Sequence, residues 1–173
     1  WNRNLALGLA MKIMKFKLPS APAESKVGFV DLSNNQVVDS ATVLGRMGIR
    51  DPLNRAVDLI AYNSEKSGAL SQGLKDLDRY DAPRWGLDEV VYLPSIEAGS
   101  LRDFIAFEQH IRAARSRRGS DIPEAWYRMP IYYKGNHRSL LGHDQQLTWP
   151  RYSQQMDYEL ELACIIGKEG IDI

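Results

Sequence analysis

The sequence predicts an α+β protein, mainly β, in two parts. A small N-terminal domain of a hairpin and helices is expected over residues 1–95, and a second domain begins at residue 96 and runs to residue 173. Three observations predict this. Val27-Gly28-Phe29-Val30-Asp31-Leu32 and Gln36-Val37-Val38-Asp39 flank the turn-forming Ser33-Asn34-Asn35, the pattern of a β-hairpin. Two stretches, Leu53 to Tyr62 and Leu101 to Arg118, carry a helical pattern. Asp157 to Ile166 reads as a strand, with acids and apolar residues alternating through its first half at a period of two.

The bulk properties exclude several function classes. Lys and Arg total 22 and so do Asp and Glu, so the formal net charge is zero. That excludes nucleic-acid binding by bulk charge and an acidic disordered tail. With a single cysteine, Cys164, neither an internal disulfide nor a zinc site of several thiolates can form. Its setting, Leu162-Ala163-Cys164-Ile165-Ile166, predicts a small buried apolar residue, and a reducing, cytoplasmic location is expected. No apolar run reaches the ~20 residues that span a bilayer. Leu5 to Met14 resembles a signal-peptide core, but Lys12 interrupts it and no cleavage pattern follows. The sequence starts at Trp1 and stops at Ile173 just after a strand-like run, so a fragment is expected.

Along the chain, Met14 to Leu18 reads as a strand broken by Pro19-Ser20-Ala21-Pro22, and the hairpin follows. Leu53, Ala56, Val57, Ile60 and Ala61 line one helix face, and a second short helix is expected from Ala69 to Leu77. Tyr80 to Gly86 reads as loop and Glu89 to Leu93 as strand, and Pro94 to Ser100 punctuates the boundary. Ser100, with Asp103 three residues on, resembles a capping box opening a helix from Leu101 to Arg118 that Gly119 stops. Its late Arg112, Arg115, Arg117 and Arg118 suit the negative helix end. They read either as a solvated helix end or as contacts to an anionic substrate. Ile131 to Lys134 reads as a strand, Gly135-Asn136-His137 as a turn, and Gly167-Lys168-Glu169-Gly170 closes the last strand.

The last strand carries the most chemistry. Its period places Asp157, Glu159 and Glu161 on one face, with Glu159 and Glu161 Cα atoms about 6.5–7 Å apart. Tyr158, Leu160 and Leu162 fall on the other face and read as core. Like charges on one strand face repel, and no Lys or Arg is interleaved. A hard divalent cation with oxygen ligands relieves that repulsion, while a plain solvated acidic face is the alternative. On the expected helix, Asp103 and His110 are seven residues apart, two turns on nearly one face. His110 reads either as a general base or as a partly buried helix residue among Phe104, Phe107 and Ile111.

Together these segments resemble the fumarylacetoacetate hydrolase family. Leu101-Arg102-Asp103-Phe104-Ile105-Ala106-Phe107-Glu108-Gln109-His110 is similar to that family's helix motif. Met156-Asp157-Tyr158-Glu159-Leu160-Glu161-Leu162-Ala163 with Ile165-Ile166-Gly167-Lys168-Glu169-Gly170 is similar to its strand motif. Met129 to Asn136 and Ser139 to Gly142, with Pro150 downstream, resemble the segments between, so the likeness spans about Leu87 to Ile173. The resemblance implies that Asp103, Glu159 and Glu161 are metal ligands and His110 the general base. It implies that Tyr133 and Arg118 contact substrate. The Lys134-Gly135-Asn136-His137 loop departs from the commoner versions and marks a different substrate; His137 and His143 acquire no role.

The implied fold is the start of a mixed β-roll catalytic domain, apparently truncated at its C-terminus, because the family's later aspartate ligand and lysine have no counterpart here. The implied activity is metal-dependent hydrolysis of a C–C bond in a 1,3-dicarbonyl or oxo-acid substrate. Mg²⁺ is the expected cofactor, Ca²⁺ or Mn²⁺ the alternatives. A homodimer is expected, with neither nucleic acid nor membrane as partner. Decarboxylation, isomerisation or hydration on the same scaffold, or a truncated non-catalytic binding module, are the other readings.

Overall fold

The computed structural model describes residues 11–167 and 169–171. The Leu5 to Ala10 portion of the signal-like run, and Lys168 in the closing Gly167-to-Gly170 segment, lie outside them. The fold is α+β with antiparallel sheets, and two units are distinguished: described residues up to Ile96 together with those from Leu141 on, and Glu97–Leu140.

The first unit is built on a five-stranded sheet. Strands β1 (Ile13–Leu18), β2 (Ala21–Asp31) and β3 (Gln36–Asp39) form its centre, with β4 (Arg84–Gly86) and β5 (Val91–Leu93) at its edges, in the order β4-β3-β2-β1-β5. The predicted hairpin is present. Phe29 pairs with Val38, Val30 with Val37 and Asp31 with Gln36. Its turn is closed by Asp31, whose carboxylate accepts from Ser33 and Asn34 N–H at 3.0 and 3.3 Å, and Asn35 takes the left-handed φ of 53°. The expected loop from Tyr80 to Gly86 is corrected at its end. Arg84–Gly86 adds to β3 because Val37 and Val38 still present an open ladder edge there.

Three helices follow: α1 (Ser40–Arg46), α2 (Ala56–Glu65) and α3 (Ala69–Gly73). α1 was not expected from the sequence. Its signal is local, since Asp39 accepts from Thr42 N–H at 2.8 Å and caps it. Strand alternation splits the core in two. Val27, Phe29 and Val38 meet Val43, Leu44, Leu59 and Leu70 from the helices, while Met14, Phe16 and Val37 meet Val90 beside Trp85.

From Leu141 on, the first unit carries no strand among the described residues. The expected strand from Asp157 to Ile166 is corrected to irregular chain: the alternation is there, but no described strand pairs with it, and a lone strand is not stable in water. Its apolar face is therefore not core. Tyr158, Leu160 and Leu162 are 88%, 96% and 100% exposed, and Cys164, expected to be buried, is exposed as well.

The second unit holds a two-stranded sheet and two helices. Strand β6 (Leu101–Phe104) pairs antiparallel with β7 (Tyr132–Gly135), and helices α4 (Glu108–Ser116) and α5 (Ala125–Arg128) lie between them in sequence. The expected helix from Leu101 to Arg118 is thus corrected. Its first four residues are strand, Ser100 caps no helix, and the N-cap position of α4 is Phe107. The aromatic segment 132–135 supplies a ladder partner, and Phe104 and Tyr132 stack across it at 5.3 Å, which overrides local helix propensity. The expected stop is present. Gly119 has φ 63°, and Ser120 N–H bonds back to Arg115 O at 3.2 Å. A short 3₁₀ turn, His137–Ser139, follows β7.

Candidate functional site

Within the second unit, the β6–β7 register sets the first feature of the site. Asp103 pairs directly with Tyr133 and Leu101 with Gly135, so these four share one face. Arg102, Phe104, Tyr132 and Lys134 take the other face, where the Arg102 guanidinium lies 5.4 Å from the Tyr132 ring centre. A candidate metal ligand and a candidate substrate tyrosine are therefore cross-strand neighbours. Their thirty-residue separation hides this from any periodicity. Asp103 is half-buried and Tyr133 exposed.

His110 lies on the first turn of α4, not on one helix with Asp103. The strand and the linker 105–107 separate the two. It is exposed rather than packed among Phe107 and Ile111; of that helix only Ile111 is buried. An exposed imidazole is accessible to substrate, as a general base must be. Arg118 is exposed past the C-cap Arg117. Among the other arginines, Arg112 is paired with Glu108 four residues before it, as suits a solvated helix face.

The segment after Leu141 supplies the other two acids. Glu159 and Glu161 are exposed, and each offers a carboxylate oxygen within 4.8 Å of the other's. The third candidate ligand, Asp103, lies on β6 of the second unit. The donor chemistry of the candidates fits the implied cofactor: carboxylates, such as the neighbouring Glu159 and Glu161, favour a hard, oxygen-preferring cation such as Mg²⁺, Ca²⁺ or Mn²⁺. His143 lies 3.4 Å from Asp144 through Nε2 and edge-on to Tyr92, which accounts for it structurally.

One set of contacts had no signal in the sequence. Helix α5 meets α4 and the linker before it through two adjacent aromatic residues. Trp126 Nε1 donates to the Ile105 carbonyl at 3.0 Å, and Tyr127 Oη donates to Glu108 Oε1 at 3.1 Å. Arg112 Nη2 donates to that same Glu108 oxygen. The hydrogen bond from Arg112, then that from Tyr127, holds the Glu108 carboxyl below the ordinary glutamate range, and Glu108 in turn raises Arg112. Lost hydration, then the bond to Glu108, raises the Tyr127 phenol. Beside these groups an open cleft of about 490 Å³ is lined by Phe104, Ile105, Trp126, Tyr127, Met129 and Ile131.

Comparison with known proteins agrees with the motifs. Residues 100–173 match the family described as fumarylacetoacetate (FAA) hydrolase C-terminal. No curated protein matches the chain. The match takes in Asp103, His110, Arg118, Tyr133, Glu159 and Glu161. Over residues 100–173, the chain is similar to the C-terminal region of the fumarylacetoacetate hydrolase family.

Proposed function

We propose that this chain carries part of the machinery of a metal-dependent enzyme that hydrolyses a C–C bond in a 1,3-dicarbonyl or oxo-acid substrate. The observation that supports this best is the Glu159–Glu161 pair, with carboxylate oxygens within 4.8 Å of each other, in a segment that matches the family and also contains Asp103. These three residues hold the cation, with Mg²⁺ the first choice and Mn²⁺ or Ca²⁺ the alternatives. A bound divalent cation supplies positive charge where negative charge develops on the substrate.

The chain's own residues do the rest. His110 takes a proton from water, whose oxygen adds to a substrate carbonyl. The adjoining C–C bond then breaks, and its electron pair leaves on the carbon that is afterwards protonated. Tyr133, across the ladder from Asp103, orients the substrate by its hydroxyl, and Arg118 pairs with a substrate carboxylate. The catalytic segment is read as part of a β-roll, in a homodimer located in the cytoplasm.

A paired substitution tests this reading. Mg²⁺ or Mn²⁺ affinity by calorimetry and turnover of a 2,4-dioxo acid to its two acids are measured together. Glu159→Gln weakens both. His110→Ala abolishes turnover and leaves cation affinity within about twofold, since a neutral base contributes no ligand. Unchanged cation affinity in Glu159→Gln removes it as a ligand, and full turnover in His110→Ala removes the base.

A further inference from the structure

The segment that carries His110 has few anchors. Helix α4 is nine residues long and buries a single side chain, Ile111, and the linker that feeds it, Ile105 to Phe107, is exposed. Burial alone leaves such a helix free to pivot about one contact. What restrains it is a pair of directional bonds from adjacent residues of α5. Trp126 Nε1 holds the linker at the Ile105 carbonyl, and Tyr127 Oη holds the first helical residue at Glu108 Oε1. The two aromatic rings brace each other edge-to-face, with centres 4.9 Å apart and planes at 90°. Arg112 closes the set by donating to the oxygen that Tyr127 uses. The gripped points are three residues apart. They bracket the corner where the chain leaves β6, two residues after Asp103, and enters the turn that carries His110, two residues after Glu108.

We infer that Trp126 and Tyr127 are positioning residues that fix His110 relative to the Asp103-bearing strand, acting through Ile105 and Glu108. The bonds are exposed and contribute little to global stability, since water competes for each group. Their effect is geometric. A general base displaced by about 1 Å loses on the order of 10²-fold in rate, while the helix itself persists. The inference rests on His110 acting as the base of the proposed reaction, and its test reads His110 both with and without turnover.

The test uses the full 173-residue chain. It has three histidines, His110, His137 and His143, so their ring resonances are separable by NMR. Tyr127→Phe keeps the ring and removes only the hydroxyl. It is expected to shift or broaden the His110 resonances alone and to quicken amide exchange across residues 108–112 about tenfold, with far-UV circular dichroism unchanged. Where a 2,4-dioxo acid is turned over, kcat falls about ten- to a hundredfold with KM and Mn²⁺ affinity within about twofold.

Glu108→Gln retains an acceptor for Tyr127 and is expected to restore near-native His110 resonances. Glu108→Ala is expected to reproduce Tyr127→Phe. Unchanged His110 resonances and exchange in Tyr127→Phe overturn the inference, as does a loss in KM or Mn²⁺ affinity without a loss in kcat. A wild-type chain that binds no Mn²⁺ overturns the metal-dependent reading instead, and the His110 resonances still decide the positioning.

Discussion

At the scale of single residues, the first unit's sheet depends on one missing side chain. Gly28 lies on the face of β2 where Phe16 and Val37 fill the space, and both of those are fully buried. A Cβ built at Gly28 collides with Val37 Cγ2, meets the Val38 carbonyl at 2.9 Å and reaches Phe16 Cε1 at 3.0 Å. The glycine's φ is not left-handed, so the constraint is close approach rather than backbone conformation. Gly28→Ala therefore overpacks a core that has no slack and is expected to cost about 1–3 kcal/mol. Urea unfolding followed by Trp85 fluorescence checks this, because Trp85 tilts against Phe16 with ring centres 5.4 Å apart. A midpoint equal to wild type would show that the sheet opens there without strain.

At the scale of elements, the contact between α4 and α5 has a pH dependence whose sign is fixed by Glu108. Its carboxyl is held below the ordinary glutamate range by Arg112 and Tyr127. The folded state therefore prefers the ionised form. The gain is complete above the unfolded glutamate pKa of about 4.3 and is lost as pH falls through the lower folded value. Amide exchange across α4 is expected to rise in acid below that range and to be flat between about pH 6 and 8. In Glu108→Gln the acid step disappears; a step of equal size there assigns it to another carboxyl.

The elements also show which parts of the structure the sequence made legible. The 27–39 hairpin was readable because both strands and their turn are contiguous, so pairing follows from local chemistry. β6 was read as helix because its partner, β7, lies about thirty residues away and only the ladder decides between the two conformations. Asp103, His110, Glu159 and Glu161 were singled out as candidates by short spacings together with the family resemblance. The Asp103–Tyr133 pairing and the bonds from Trp126 to Ile105 and from Tyr127 to Glu108 were not, since both depend on register and on contacts that no periodicity encodes.

At the scale of the whole molecule, the acid-rich stretch 157–161 shows where a correct pattern yields an unexpected conformation. The period-two alternation is intact, yet Leu160 and Leu162 are almost fully exposed, because alternation stabilises a strand only when a sheet accepts it. The Glu159 and Glu161 carboxylates, with oxygens within 4.8 Å of each other, carry a repulsive cost in the native chain, and an unfolded chain spreads that cost out. On the proposed ligand assignment, a divalent cation held by these acids and Asp103 reverses the sign of that term and binds the native state in preference to the unfolded one. By mass action, Mg²⁺ at a hundred times its dissociation constant adds about 2.7 kcal/mol. For a chain of this length that is expected to raise the melting temperature by roughly 5–10 °C. Chelation by EDTA returns it to the starting value, while added NaCl at matched ionic strength gives a much smaller rise, since it screens the acids without bridging them. In Glu159→Gln the repulsion is relieved, so the metal-free protein melts no lower than wild type, and the Mg²⁺-dependent rise shrinks. An equal Mg²⁺ response in wild type and Glu159→Gln would place the bound cation elsewhere on the chain.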